Sequence, residues 1–579
     1  DIKQKLKAWV INYNDDSLLA KVDQIIDNDE IATNDISEKL AEGGLLPMFG
    51  MPTSVRNLYH EVTSNNGNYE LKSIDRNTDL AIYEFAPGSQ KTKDKSIHTS
   101  IGFTPDYMVK NTYRNQPVVT ADNTPFYNER WMIRCNSCKS IRTEKNEPTE
   151  ITCLKCGESS NIDHFPIKSP MAYRSYLSVG KDSKEHSEIN ISRPPILAET
   201  NEPESRVQTQ SGNNYEAYLA DKDITWRINT NGEHFFNGRK VRTTNTFPFN
   251  SQQKFIFDNQ WIVKEAEEDN ESDYRFYINT DSEDYENIAL ATNKNTEILR
   301  IHPQNIHYSI DLNMFDQAFS LSYAGIRSSF FSAAFLLQRV ISDKLDVDPV
   351  EIQIADITRY ITEEDRVTAE IILTDELPNG SGFVRYLFNN FDQILKQCIY
   401  PKEAISANSQ YLVAIHSDKH LSLCKDACYD CLKVFRNMNY HGLLDWRLGI
   451  SFLRVLYEPN YVAGTDGKFD NYIELKGWLQ DANLLRDNFE ESFDFNILKD
   501  TDLPVLVSKN KLFYVVIIHP FWNCKINENG KIDIPLNTWI SEEITKVYQI
   551  AQNNGGVIKF IDTFNLQRRP GWCYQQIIK

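Results

Sequence analysis

At 579 residues the chain is too long for one hydrophobic core, because cores stop growing near ~250–300 residues, so three or four domains are expected. Its 41% hydrophobic and 12% aromatic content excludes wholesale disorder. A net charge of −19 excludes a uniformly basic nucleic-acid surface, so any DNA contact is local or is supplied by a partner.

The pattern predicts an α+β multi-domain chain. Leu6, Trp9, Val10, Leu18, Leu19, Val22, Ile25 and Ile26 recur at helical spacing, and Thr33-Asn34-Asp35 offers an N-cap before Ile36–Leu46, so residues 1–60 read as a helical segment. Residues 61–300 read as a β-rich domain. Short turn-bounded runs such as Leu80–Phe85, Ile224–Ile228 and Phe255–Val263 are its expected strands, with a zinc ribbon inserted at about 128–165. Ten Asp and Glu residues between Glu265 and Glu286 mark a solvated loop. Residues 301–457 form an expected α/β module. Its parts are an apolar core helix within 314–345, strands at Glu351–Ile357 and Val367–Thr374, and a helix after Pro378 with Phe383, Leu387, Phe391, Ile394, Leu395 and Cys398 on one side. A further helix at about Leu443–Tyr457 closes the module, and residues 458–579 alternate strands and helices as a C-terminal α/β domain.

Seven of the ten cysteines lie in two tight groups, as metal sites do and disulfide frameworks of small secreted domains do not. Cys135-Asn136-Ser137-Cys138 and Cys153-Leu154-Lys155-Cys156 are two C-x-x-C knuckles separated by a hairpin's length. They supply four thiolates to a tetrahedral zinc with no position left for water, which makes that zinc structural. Gly157 suits the tight turn after the second knuckle. Cys424, Cys428 and Cys431 are three thiolates of a second zinc site, whose fourth ligand is open among Cys398, His420, His416 and His441. No Glu or His is placed as a general base for a catalytic zinc, so a closed structural site is expected here too.

No Gly-Lys-Ser/Thr phosphate loop occurs, so ATP enters only through a motor outside this chain, and no catalytic residue is assigned. Gly380-Ser381-Gly382 at a helix start offers N–H groups that suit a phosphate or simple helix initiation. Glu474-Leu475-Lys476, preceded by Asp466 and Asp470, loosely fits the acid-x-Lys core of a metal-dependent nuclease, an alternative function for the C-terminal domain. A protein-interaction scaffold is the other alternative, and the acidic net charge favours it. Candidate phosphate contacts are Arg436, Arg447, Arg568 and Arg569, the last two beside Trp572. The longest apolar runs, such as Leu512–Ile518, fall far short of the ~20 residues of a membrane span, so no membrane contact and a cytoplasmic location are expected. The chain opens Asp1-Ile2-Lys3 without an initiator Met, which suggests a segment of a longer polypeptide.

Several strings carry a family resemblance. Leu45-Leu46-Pro47-Met48-Phe49-Gly50-Met51-Pro52, Leu80 to Gly88, Glu376 to Phe383 and above all Ala427-Cys428-Tyr429-Asp430-Cys431-Leu432 resemble the C-terminal half of bacterial superfamily 2 DEAD/DEAH-box helicases. Phe435-Arg436-Asn437 and His441 to Arg447 extend the likeness, which covers about residues 40–455. That region carries a four-cysteine zinc domain, shared by the mitomycin repair factor helicases and by helicase-like proteins of anti-phage systems such as Druantia and DISARM. The resemblance implies a zinc-folded region behind a helicase motor, placed in cis or in trans, with DNA, that motor and other defence-system subunits as partners. It also implies Cys424, Cys428 and Cys431 as ligands. The family's further cysteine close before the triplet is replaced here by Ser422 and Leu423, which ranks Cys398 first and His441 second as the fourth ligand.

Overall fold

The computed structural model describes residues 18–27, 36–46, 55–65, 68–112, 116–120, 124–149, 151–177, 181–182, 196–200, 207–246, 254–268, 276–279, 284–315, 322–406, 409–526 and 531–579. They form helices, several sheets and two compact units. One unit holds residues up to 136, 141–201 and 224–295; the other holds 137–140, 202–223 and 296–579. The expected N-terminal helices appear at Leu18–Ile26 and Ile36–Glu42, while Leu6, Trp9 and Val10 lie outside the described residues.

The first unit is built on antiparallel pairing. Strands Val55–Asn65 and Asn68–Asn77 make a hairpin whose register shifts between Tyr59 and Glu61, so His60 is the extra residue of a bulge. Val55–Asn65 also runs parallel to Ala172–Arg174, which pairs with Gly102–Thr104, and that strand pairs with Lys254–Val263. Leu58, Phe103, Tyr173 and Trp261 are fully buried along this path. Phe103 stands 5.2 Å from Trp261 and 5.5 Å from Tyr173, centroid to centroid. Gly102 is required there, because a Cβ would lie 2.1 Å from the Trp261 carbonyl oxygen.

Leu80–Phe85, expected as a strand, belongs to the helix Thr78–Glu84. The Asn77 side chain accepts the Asp79 N–H at 3.1 Å and starts the helix, and Ala81, Ile82 and Phe85 then bury one face. A short apolar run bounded by turn residues reads alike in either state, and here the cap decides. In the acidic stretch, Glu267 pairs with Arg239 at 2.6 Å and Glu286 with Lys168 at 2.8 Å; residues 269–275 and 280–283 lie outside the described residues.

The second unit is organised by the 23-residue helix Tyr323–Leu345, buried on most of its circumference. It packs against Trp446–Tyr457, and at their crossing a Cβ on Gly449 would meet Ser332 and Leu336 at 2.9 Å. Only glycine permits helices so close. Strand Val367–Asp375 pairs with Ile352–Ile354, with Thr358–Ile361 and with residues 298–301. The expected helix after Pro378 is broken at Asn390 into Phe383–Asn389 and Phe391–Ile399. Farther along the chain, strands Phe495–Ile497, Val505–Ser508, Phe513–Ile518 and Val557–Asp562 form a four-stranded sheet, with the last pair parallel. Its apolar residues join one continuous core with those of the helix Tyr323–Leu345.

Among the described residues, no helix is long and apolar enough to cross a membrane.

Candidate metal centres

The ribbon grows directly out of a long hairpin. Phe126–Cys135 pairs antiparallel with Ile162–Pro170, from Phe126↔Pro170 to Cys135↔Ile162, and also with Ile141–Glu144. The hairpin therefore delivers Cys135 at a strand end, and the turn after it delivers Cys138. The second knuckle is closed by its own backbone: Cys153 N–H donates to the Glu158 carbonyl at 2.8 Å, and Gly157 N–H to the Cys153 carbonyl at 2.9 Å. Gly157 sits at φ +73°, as the turn requires. The four sulfurs of Cys135, Cys138, Cys153 and Cys156 all lie within 4.8 Å of one another.

The second group is His420, Cys424, Cys428 and Cys431, with donor atoms again within 4.8 Å of one another. The short helix Asp418–Leu423, capped by Ser417 accepting the His420 N–H at 3.2 Å, carries His420 one turn before Cys424. The loop after it folds back on itself. Cys428 N–H donates to Cys431 Sγ at 3.0 Å, and the Cys428 carbonyl accepts from Leu432 and Lys433. Trp446 ties this loop to the core: its Nε1–H donates to the Cys424 carbonyl at 3.1 Å and its backbone N–H to the Asp426 carbonyl at 2.8 Å.

Two observations test whether these donors fit zinc. Tetrahedral ligands about 2.3 Å from zinc stand roughly 3.8 Å apart, while disulfide sulfurs are bonded at about 2.05 Å. The sulfur separations are 3.6 Å for Cys135–Cys156, 3.9 Å for Cys424–Cys431 and 3.6 Å for Cys428–Cys431. Second, His420 Nδ1 lies 2.9 Å from the Ile415 carbonyl, which makes Nδ1 the protonated nitrogen, and its buried Nε2 has no hydrogen-bond partner. A carbonyl-oriented imidazole with a bare inward nitrogen is the arrangement of a metal-ligating histidine. The sulfurs also need a cation. Without one, hydrogen bonding from Cys424 holds Cys431 down at about 4, while Cys424 is pushed far above the thiol range by its bond to Cys431, by burial and by its neighbours' charge. A divalent ion lets all three ionise together. Both donor sets fit, and the chain carries two zinc sites, each with four protein donors.

Cys398, ranked first from the sequence, is outside the second group, and His420 stands in its place. Cys398 lies on the apolar face of the helix Phe391–Ile399, fully buried, with burial pushing its thiol up to about 12; it acts as a small core residue. His416 places Nε2 2.9 Å from the Cys398 carbonyl. His441 Nε2 lies 3.0 Å from the Val434 carbonyl and 2.9 Å from Asn437 Oδ1, and neither histidine belongs to the group whose donor atoms lie within 4.8 Å of one another. The spacing His-x3-Cys, one helical turn, was the signal for the fourth donor.

The structure distributes the other candidates differently. Arg447 stacks on Trp446 at 4.7 Å and donates to the Lys476 carbonyl at 3.1 Å. Arg568 stacks on Phe564 at 3.9 Å and donates to the Gly442 and Leu444 carbonyls, and Arg569 stacks on Trp572 and donates to Asn565. Arg436 is exposed. Glu474 is buried against Arg454, Nε to Oε1 2.6 Å, and joins no metal-holding group among the described residues. At the Gly380-Ser381-Gly382 turn, the Asp375 carboxylate accepts the N–H groups of Ser381, Gly382, Phe383 and Val384 at 2.6–3.3 Å. The helix start that suited a phosphate thus already holds an anion of the chain's own.

No curated protein matches the chain. Among solved structures, a similar chain is a crystal structure of the DUF1998 helicase MrfA bound to DNA, at 8% identity and a TM-score of 0.29, over 72% of this chain. The match spans 35% of that chain. Residues 333–432, which include His420, Cys424, Cys428 and Cys431, match the family model of the MrfA Zn-binding domain.

Proposed function

We propose that this chain is a non-motor accessory region, or a separate subunit, of a superfamily 2 helicase-like DNA-processing machine working in anti-phage defence, and that it binds DNA, the motor or both. The observation that carries the reading is the match of residues 333–432 to the MrfA Zn-binding domain, with a complete four-donor metal group at the end of the matched segment. Cys135, Cys138, Cys153 and Cys156 ligate one zinc; His420, Cys424, Cys428 and Cys431 ligate the other. Both zincs are structural, because four protein donors leave no position for a reacting water. Residues 1–60 follow the motor or partner, and the units behind them grip DNA. Of the four arginines singled out, Arg436 is the one exposed to meet a phosphate, while Arg447 and Arg568 hold the fold.

The test is DNA binding by the purified full chain across a salt series. Affinity is expected to fall linearly in log–log form with salt, because phosphate contacts release counterions. Absence of binding to strand and duplex at low salt removes the DNA part of the reading. The defence role is tested by phage plating on cells carrying the intact system against cells carrying Cys428→Ser; equal plating removes it.

A further inference from the structure

The loop that holds the second metal group exposes large apolar side chains on a rigid frame. Leu423 and Phe435 are 73% exposed and Tyr429 69%, with Met438 also more than half exposed. Four large apolar side chains this exposed within sixteen positions make the loop a candidate contact surface. The frame beneath them is fixed by bonds already made. Asn437 is buried, donating to the Leu432 carbonyl at 2.8 Å and accepting the Val434 N–H at 2.9 Å. His441 meets both Asn437 and the Val434 carbonyl, and its ring stands perpendicular to Tyr429, centroids 5.8 Å apart, leaving the tyrosine itself exposed. Ordering these rings therefore costs little conformational entropy on binding.

Charge selects the occupant. Asp426 is held by Arg568 at 3.5 Å, and Lys425 by Asp481 at 2.7 Å. From Tyr429 to Met438 there remain Lys433 and Arg436 against the single exposed carboxylate of Asp430, a locally positive segment in a chain of net charge −19. Aromatic rings and Arg serve protein–protein interfaces too, but Lys is depleted there, whereas a strand-binding surface alternates aromatic faces with cations of both kinds. Duplex DNA hides its base faces in the stack, so only an unpaired strand offers them.

We propose that Tyr429 and Phe435 are a stacking platform for unpaired bases of a single nucleic-acid strand, with Arg436 and Lys433 meeting its phosphates. This deepens the DNA-binding reading above and rests on it. The experiment is fluorescence anisotropy of the full, zinc-loaded chain with a labelled oligothymidylate strand and with a duplex. Tyr429→Ala and Phe435→Ala are each expected to weaken strand binding about 10-fold, as removal of a base-stacking ring does. Phe435→Leu keeps the apolar volume without the ring and is expected to lose as much, while Tyr429→Phe binds as the parent does. Arg436→Ala is expected to reduce the salt slope by about 0.7, one phosphate contact on a single strand. Zinc content and melting temperature stay at parental values in all of them, which separates lost stacking from lost fold. Unchanged strand affinity in Phe435→Ala overturns the platform, and so does parental binding by Phe435→Leu, the mark of an apolar protein-docking face. If the parent binds DNA and the variants bind equally, only this inference falls; if the parent binds neither strand nor duplex, the DNA-binding reading falls with it.

Discussion

The two metal groups solve the same problem with different materials. The ribbon's four sulfurs come from two turns of one hairpin, within 22 residues, and their apolar neighbours form a small cluster around Met132, Ile141, Phe165 and Ile167. The second group takes its nitrogen from a helix and its sulfurs from an irregular loop, and Cys424, Ala427, Cys431 and Leu432 belong to the large core of their unit. A metal that staples a hairpin tip holds local structure. A metal whose ligands are also core residues holds the core's geometry, so its loss propagates.

That difference is broken most forcefully by removing one ligand from each group. Cys431→Ser is expected to remove one zinc and to cost the second unit on the order of 5 kcal/mol or more, seen by calorimetry as loss of its transition. Cys153→Ser, a ligand within the first unit, is expected to remove the other zinc and to speed hydrogen exchange in residues 126–170 while the second unit's transition stays. Equal damage from both variants would contradict the comparison.

The identity of the fourth donor comes next. His420→Ala should bring the zinc content to one per chain, His420→Cys should keep two, and Cys398→Ser should keep two at a cost of about 1–2 kcal/mol for burying a hydroxyl. Loss of zinc in Cys398→Ser would reinstate that cysteine.

Core packing and metal binding in the second unit are separable at Gly449. Gly449→Ala forces a methyl against Ser332 and Leu336 and is expected to cost about 1–3 kcal/mol with both zincs retained. Unchanged stability would mean the helices separate without penalty.

The last effect concerns acid in the first unit, which holds His60. Burial, followed by the charge of His98, pulls His60 down to about 4 from 6.5, and both its ring nitrogens are buried without a hydrogen-bond partner. The unfolded chain therefore binds the proton first as pH falls. Stability is full above about 6.5 and declines towards 4, by about 3 kcal/mol across that window. His60→Gln should flatten that decline in pH-dependent melts; an unaltered slope would place the acid response elsewhere.

How much of this is legible in the sequence depends on whether the informative neighbours are local. The ribbon is legible because its knuckles and their hairpin are contiguous and the spacing itself encodes a tetrahedron. The second site was legible only as a triplet. Choosing among Cys398, His416, His420 and His441 depends on which face of which helix turns inward, and Cys398 lies on an apolar face whose periodicity describes core and ligand equally well. The strand expected at Leu80–Phe85 became a helix through one side-chain cap at Asn77. The arginines show the same limit: Arg568 and Arg569 beside Trp572 suit a strand, yet the Gly442 and Leu444 carbonyls, distant in the sequence, claim Arg568, and the Asn565 side chain and the Trp572 ring claim Arg569. Tyr429 and Phe435 were in plain sight within the resemblance strings, but their exposure is a property of the folded loop alone.

The central claim is that two closed structural zincs hold this chain, one in an all-sulfur set and one completed by His420. Elemental analysis of the purified full chain combined with zinc-edge X-ray absorption tests it most directly. The account predicts two zincs per chain, with seven sulfurs and one nitrogen shared between them. A single zinc, or two zincs in an all-sulfur environment, would contradict it.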